Sequence, residues 1–264
     1  MRPTVLFLFN SSDYAVRPWL DDGGFNVVSV DYSDTDHSGA HREPVKGHTV
    51  LNIDLAQNNA AFHVRTRLRM LGLSLPSLCV SFAPCTDLAV SGAKHFASKL
   101  EKDPCCQERA VRMAKLASEF GCPYMVENPV SVLATMWRKP DMYWHPWEFS
   151  YQFDKHSIPL AHPEFPDVIP PGDWYNKKSC LWVGGGFILP RKDTDTGPTS
   201  ENPGWAKLGG KSARTKYIRS LTPRGFAQAV YESNRDNILS LLGSQVFESC
   251  GTIADTDERM EFTW

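Results

Sequence analysis

Leu78-Cys79-Val80-Ser81-Phe82-Ala83-Pro84-Cys85-Thr86 is the stretch on which the fold turns. Its apolar start has strand length and no helical period, and Pro84 takes the backbone out of any ladder. The segment therefore reads as a buried strand that ends in a turn and leaves a thiol at its C-terminal edge. About forty residues on, Pro123-Tyr124-Met125-Val126-Glu127-Asn128-Pro129 repeats the pattern and leaves a carboxyl group instead. Between them, residues 106–121 (CQERAVRMAKLASEFG) have the spacing of an amphipathic helix closed by Gly121. Upstream lie strand-like runs at 4–9 (TVLFLF), 25–31 (FNVVSVD) and 49–54 (TVLNID). Helical stretches separate them, a short one over 14–22 and one from Asn58 to Leu71 carrying His63, Arg65, Arg67 and Arg69. Strand alternating with helix predicts an α/β fold, a Rossmann-like, doubly wound and mostly parallel sheet. Ligands of such sheets bind beyond the C-terminal ends of the strands. That edge would hold Cys85 and Glu127, with Asp31 and Asp54 ending two further strands.

The second half differs in composition. Residues 137–210 are rich in Trp, Tyr, Pro, Gly and Asp, and predict an irregular insertion with one clear strand at Ser179-Cys180-Leu181-Trp182-Val183. Residues 223–242 read as a helix, and the polar, acidic end as a loose tail. The division expected is a cofactor-binding and catalytic part over 1–136, a reduced recognition region over 137–210, a returning segment over 211–245, and a tail over 246–264. A net charge of −2 excludes a polycation that coats nucleic acid, so any phosphate-binding surface is local. No apolar run reaches the roughly 20 residues of a membrane helix. Seven cysteines at irregular spacing fit a reducing cytoplasm better than a disulfide scaffold. They offer no C-x-x-C spacing, so no metal site is expected.

The chain resembles the cytosine-C5 DNA methyltransferases, and more closely their compact phage and bacterial branch. Ala83-Pro84-Cys85 stands where that family has a Pro-Pro-Cys turn, and Glu127-Asn128-Pro129 where it has Glu-Asn-Val. Lys177-Lys178-Ser179-Cys180-Leu181-Trp182 and Arg219-Ser220-Leu221-Thr222-Pro223-Arg224-Gly225-Phe226-Ala227 match two further stretches of the branch. The resemblance implies a class I methyltransferase fold and S-adenosylmethionine as cofactor. It implies that Cys85 adds to cytosine C6 while Glu127 serves N3, with Asn128 ordering the Glu127 turn. Asp31 and Asp54 would face the ribose and adenine, and Phe9, Asn10, Ser11 and Pro84 would line the rest of the cofactor site. The chemistry asks for a lowered thiol pKa at Cys85 and a raised carboxyl pKa at Glu127.

Two features depart from the family. The glycines of its Phe-x-Gly-x-Gly turn are replaced in Phe9-Asn10-Ser11-Ser12-Asp13, which leaves open weakened cofactor binding, an altered cofactor, or none. The Gln-x-Arg motif that contacts the target base is missing, and Lys178 is the candidate replacement. DNA is the expected partner. Thr86 flanks the nucleophile, and Lys207, Lys211, Arg214, Lys216, Arg219 and Arg224 form an acid-free, loop-like basic stretch. Trp144, Trp147, Trp174 and Trp182 are candidates to stack on a splayed base. The alternatives are a methyltransferase-like scaffold that only binds nucleic acid or a partner, and the same chemistry on RNA or a free pyrimidine nucleotide.

Overall fold

The computed structural model describes residues 2–10, 12–32, 42–45, 47–193, 197–198, 208 and 212–250, with backbone alone for 42–45 and 242–250. Its strands are β1 (Thr4–Leu8), β2 (Asn26–Asp31), β3 (Arg42–Val45), β4 (His48–Asn52), β5 (Pro76–Ser81), β6 (Tyr124–Pro129), β7 (Met142–Trp144) and β8 (Ser179–Gly184). The helices are α1 (Arg17–Asp22), α2 (Ala60–Met70), α3 (Phe96–Lys102), α4 (Cys106–Lys115), α5 (Leu133–Met136), α6 (Tyr151–Lys155), α7 (Ala213–Ser220) and α8 (Arg224–Cys250). All eight strands form one sheet in the order β3-β4-β2-β1-β5-β6-β8-β7. The five from β4 to β6 are parallel, while β8 runs antiparallel to both β6 and β7, and β3 to β4. This is a Rossmann-like, mostly parallel sheet.

Apolar residues on both strand faces make the sheet two-sided. Leu6 and Leu8 of β1, Val28 and Val30 of β2, Cys79 of β5 and Val126 of β6 pack with α2 and α4 on one face. Val5 and Phe7, Val27, Leu78 and Val80, and Met125 pack with α1 and α8 on the other. Each is essentially closed to solvent, and truncating one of the leucines or Met125 to alanine costs roughly 2–5 kcal/mol. The chain winds from β1 outward through β2 to β4, then crosses to β5 on the other side of β1. That reversal opens a crevice between the β1 and β5 ends, where open α/β sheets place their ligands.

Several elements differ from the sequence expectation. The short antiparallel β3 precedes β4, so Asp54 follows the fourth strand in chain order and stands two residues beyond its end. Residues 142–144 are strand rather than loop, and with β8 they extend the sheet past β6. The basic stretch expected to be a loop contains α7. Ser212 supplies its N-cap, with Oγ accepting from the Thr215 N–H at 3.1 Å. The later helix runs eight residues beyond the 242 expected from sequence. The end of the expected tail, residues 251–264, lies outside the described residues. Among the described residues no helix is long and apolar enough to cross a membrane.

A buried carboxyl group fixes the start of α8. Asp173 sits in a tight turn at φ 55° and is 1% exposed. One of its oxygens accepts from the N–H groups of Arg224 and Gly225, at 2.6 and 3.2 Å. Burial is the main influence on this carboxyl and pushes its pKa up to about 6, against the opposing pull of the Arg224 charge. A folded-state pKa above the unfolded value means that the stabilisation is complete at low pH and fades as pH rises through the folded pKa. Asp173→Asn keeps an acceptor but cannot ionise. Relative to wild type, its unfolding free energy by urea titration should rise between pH 4 and 7, by up to about 3 kcal/mol. A difference that stays flat over that range would show that Asp173 does not titrate within it.

Candidate active site

Cys85 and Glu127 line one cleft of about 280 Å³ at the β1/β5 reversal. The turns after three neighbouring parallel strands build it. Phe9, Asn10 and Ser12 follow β1, Phe82 to Thr86 follow β5, and Glu127 and Pro129 close β6. Lys177 reaches in from the segment before β8, and Arg219, Ser220 and Thr222 from the junction of α7 and α8. A narrower recess continues inward beside Glu127, walled by Phe82, Trp144, Pro223 and Phe226. Pro84, Cys85 and Thr86 are exposed, whereas Glu127 is half-buried. No hydrogen bond to the Glu127 carboxyl group comes from the described residues, so its oxygens are available to a ligand.

The two reactive turns are tied to each other. Asn128, fully buried, donates from Nδ2 to the Ala83 carbonyl at 2.8 Å. That bond spans the β5 and β6 ends and fixes the height of Cys85 relative to Glu127. Asn128 therefore orders the turns and does not itself line the cleft. Beyond Cys85, the Lys99 ammonium bonds the Asp87 carboxylate at 2.9 Å and also donates to the Thr86 carbonyl.

Electrostatics set the resting state of the thiol. Cys85 is pushed above the ordinary cysteine pKa, first by desolvation within the turn and second by the Glu127 charge; Lys177 and, more weakly, Lys99 pull it down. The expected lowering does not occur, because loss of water and a facing carboxylate outweigh the two ammonium groups. At neutral pH Cys85 is a thiol. Cys79, Cys122 and Cys180 are raised too, the last two to about 12 and about 11, all chiefly by burial.

The lysine that reaches the cleft is Lys177, not Lys178. Lys178 turns outward, and its ammonium lies 4.9 Å from the Tyr143 ring centre. Lys177 Nζ donates to the Arg219 carbonyl at 3.2 Å, which links β8 to the end of α7. The adjacent lysines were equivalent in sequence, and only the bend before β8 separates them.

The other expected contacts divide in the same way. Arg224 is structural. Its guanidinium donates to the Pro159 and Leu160 carbonyls at 2.8 and 2.9 Å and lies over the Phe153 ring. Arg214 and Lys216 are exposed on α7, Arg214 beside Phe165, and Arg219 borders the cleft while donating to the Leu208 carbonyl. Trp144 and Trp182 are core residues stacked on Phe226 and Trp137, so neither can receive a base. Trp174 is 44% exposed and meets Trp147 edge-on. Ser11, Lys207 and Lys211 lie outside the described residues.

Asp31 and Asp54 stand farther along the same edge. The Ile53 N–H donates to the Asp31 carbonyl at 3.1 Å, so the β2 and β4 ends adjoin. Burial raises the Asp31 carboxyl pKa, opposed by the Tyr32 N–H that donates to it at 2.9 Å. Asp54 lines a separate open groove of about 400 Å³ against α2, with Gln57, His63 and Arg67. Among the described residues no three His, Cys, Asp or Glu side chains cluster as metal ligands would.

Phe82, Ser12 and Thr222 also reach the cleft and escaped the sequence reading. Thr222-Pro223 lay inside a quoted motif, yet nothing local marks it as facing Glu127 from far along the chain. No protein-family model matches this chain, and no curated protein matches it in sequence.

Removing the Glu127 charge should lower the Cys85 pKa, and removing the Lys177 charge should raise it. Iodoacetamide labelling of the Cys85 peptide against pH, read by mass spectrometry, measures both. Glu127→Gln should move the inflection down and Lys177→Met should move it up. Inflections that stay put would show that neither charge reaches the thiol.

Proposed function

We propose that the protein transfers a methyl group from S-adenosylmethionine to C5 of a cytosine in DNA. The observation that carries this reading is the pairing of Cys85 and Glu127 in one cleft at the strand reversal, with Lys177 beside them. That set serves one difficult reaction well. Cytosine C5 becomes nucleophilic only after something adds to C6, and the addition needs a thiolate on one side of the ring and a proton donor at N3.

The resting charges fit the addition. A thiol facing a carboxylate and a thiolate facing a carboxylic acid carry the same total charge and differ by the position of one proton. The Glu127 charge is one of the influences that raise Cys85, so neutralising it favours the thiolate. Lys177 stabilises the thiolate form further. In the reaction, Cys85 Sγ bonds to C6 while Glu127 holds a proton at N3, and electron density moves to C5. S-adenosylmethionine, when bound, supplies the electrophilic methyl group that C5 takes. Loss of the C5 proton and of the Cys85 thiolate then restores the ring and frees the enzyme.

The residues at the edge suit such a cofactor. Asp31 ends β2, where open sheets present a carboxylate to ribose hydroxyls, and Tyr32 is its only backbone donor among the described residues. The groove beside Asp54 continues the edge toward α2. For DNA, Arg219 borders the cleft and the exposed Arg214 and Lys216 stand on the same helix, α7, where they can meet phosphates. A base inside a duplex has to swing out to reach Cys85, at a cost of a few kcal/mol. The cleft of about 280 Å³ that holds both Cys85 and Glu127 is the place for it.

Nucleoside mass spectrometry on DNA from cells that express the protein tests this directly. Wild type should yield 5-methylcytosine and Cys85→Ala none, and Glu127→Gln should reduce it by on the order of 10²-fold. A modified pyrimidine found only in RNA or free nucleotides would move the same chemistry to that substrate. No modified base in any pool would leave the scaffold as a binding protein. Binding to duplex DNA should also weaken with salt. Replacing Lys216 with alanine should reduce the log–log salt slope by about one, with an unchanged slope excluding a phosphate contact there.

A further inference from the structure

The narrow recess beside Glu127 measures about 20 Å³. That exceeds the roughly 10–15 Å³ one water molecule needs and is far too little for a pyrimidine ring. Apolar side chains of Phe82, Leu221, Pro223 and Phe226 supply much of its wall. Five polar or amphipathic ones complete it: Glu127, Trp144, Lys177, Ser220 and Thr222. Lys177 and Ser220 already donate to the Arg219 and Tyr217 carbonyls, at 3.2 and 2.8 Å. Glu127, Trp144 and Thr222 remain.

Trp144 supplies the reason to fill the recess. Its side chain is 2% exposed, and its Nε1–H is closed to solvent with no acceptor among the described residues. A buried donor left unpaired is costly, and native structures keep few of them. The ring is held where it stands, stacked on Phe226 at 3.9 Å between centres and edge-on to Phe149. Glu127 accepts no hydrogen bond from the described residues either. Both side chains thus wall one water-sized space, and no direct bond joins them. A water molecule carries both complementary groups, a lone pair for the indole N–H and an O–H for the carboxylate.

We propose that one ordered water occupies this recess, accepting from Trp144 Nε1–H and donating to a Glu127 carboxyl oxygen, which makes Trp144 a positioning residue for Glu127. The proposal rests on the reading of Glu127 as the group that serves N3 of the base. With a lone pair engaged by the indole, the water turns its O–H bonds toward the carboxylate. The Glu127 oxygen on the recess side is then an acceptor already in use. The proton that Glu127 holds at N3 sits on the other oxygen, on the side of the cleft that contains Cys85. The water thereby distinguishes two chemically equivalent oxygens, and the immobile indole gives it a fixed anchor. Thr222, 6% exposed and bordering the same recess, offers its hydroxyl as a third partner.

A high-resolution crystal structure of the protein tests the site itself. Solvent density should lie within about 2.7–3.2 Å of both Trp144 Nε1 and one Glu127 oxygen. A recess without such density, or a direct bond between the two side chains, would overturn the proposal. In nitrogen-15-labelled protein the Trp144 indole proton should show a cross-relaxation peak with water, and its absence would overturn the proposal as well. Those two measurements use wild type and decide the site even if Trp144→Phe does not fold. Kinetics test the role. Trp144→Phe keeps a ring on Phe226 but removes the donor, and should lower kcat roughly tenfold with KM for DNA unchanged. An unchanged kcat would overturn the role while leaving methyl transfer intact. Wild type that holds the water but transfers no methyl group would overturn the role together with the methyl-transfer reading, and the density would still establish the bridge.

Discussion

Parallel pairing of β4, β2, β1, β5 and β6 is the constraint on which everything functional here depends. Five strands pointing one way bring five C-terminal turns to one edge, whatever their separation in sequence. Asp54, Asp31, Asn10, Cys85 and Glu127 are delivered there in that order across the sheet. The reversal between β1 and β5 then parts the turns enough to open a cleft. Strands buried on both faces tolerate no slip in register, since a shift of one residue would turn core side chains to the opposite face. The chemistry at the edge thus inherits its precision from apolar packing beneath it. The Asn128 bond to the Ala83 carbonyl completes this by holding the two reactive turns together where the ladder ends.

The surroundings of Cys85 do not hold it as a permanently activated thiolate. A cysteine lowered far below neutrality would be open to oxidation and alkylation whenever the cleft is accessible, and Cys85 is exposed. Desolvation and the Glu127 charge raise it and keep it a thiol at neutral pH. Lys177 bears on both states, because its tie to the Arg219 carbonyl makes its place depend on α7. The basic helix expected to meet phosphate is therefore joined mechanically to a cation that tunes the nucleophile. The small apolar cluster of Ile169, Tyr175, Ile218 and Leu221, flanked by Tyr14 of the loop after β1, seats that helix.

The parts legible in sequence were those with local causes. Apolar runs of strand length, a glycine stop after α4 and a proline at each reactive turn are short-range signals, and they located β1, β2, β5, β6 and the turns carrying Cys85 and Glu127. What escaped depended on distant contacts. Which of Lys177 and Lys178 faces the cleft follows from the antiparallel course of β8 beside β6, set by residues fifty positions apart. Arg224 looks like a phosphate ligand in a basic run, yet two carbonyls from residues 159 and 160 claim its guanidinium. Trp144 is a candidate for packing or for base stacking in sequence, because aromatic content says nothing about which face is covered, and the structure buries it on Phe226. The α7 helix was hidden because neighbouring glycines and like charges argue for a loop, while the Ser212 cap and burial of Ile218 favour a helix.

The loop after β1 shows why a missing motif is weaker evidence than it looks. Glycines there would serve by having no side chain to obstruct a ligand. This chain keeps side chains and disposes of them in other directions. Ser12 is 7% exposed, Asn10 reaches down to Ser29, and Asp13 points toward His48 with its carboxylate 65% exposed. Phe9 adopts a left-handed backbone at φ 56°, a conformation that costs a bulky residue of order 1–3 kcal/mol and persists only where its surroundings enforce it. The Phe9 N–H bond to the Val30 carbonyl at 2.8 Å and the packing of its ring against the core provide that enforcement. The turn that glycine would make freely is made here under load, and the space above it stays open as one wall of the cleft.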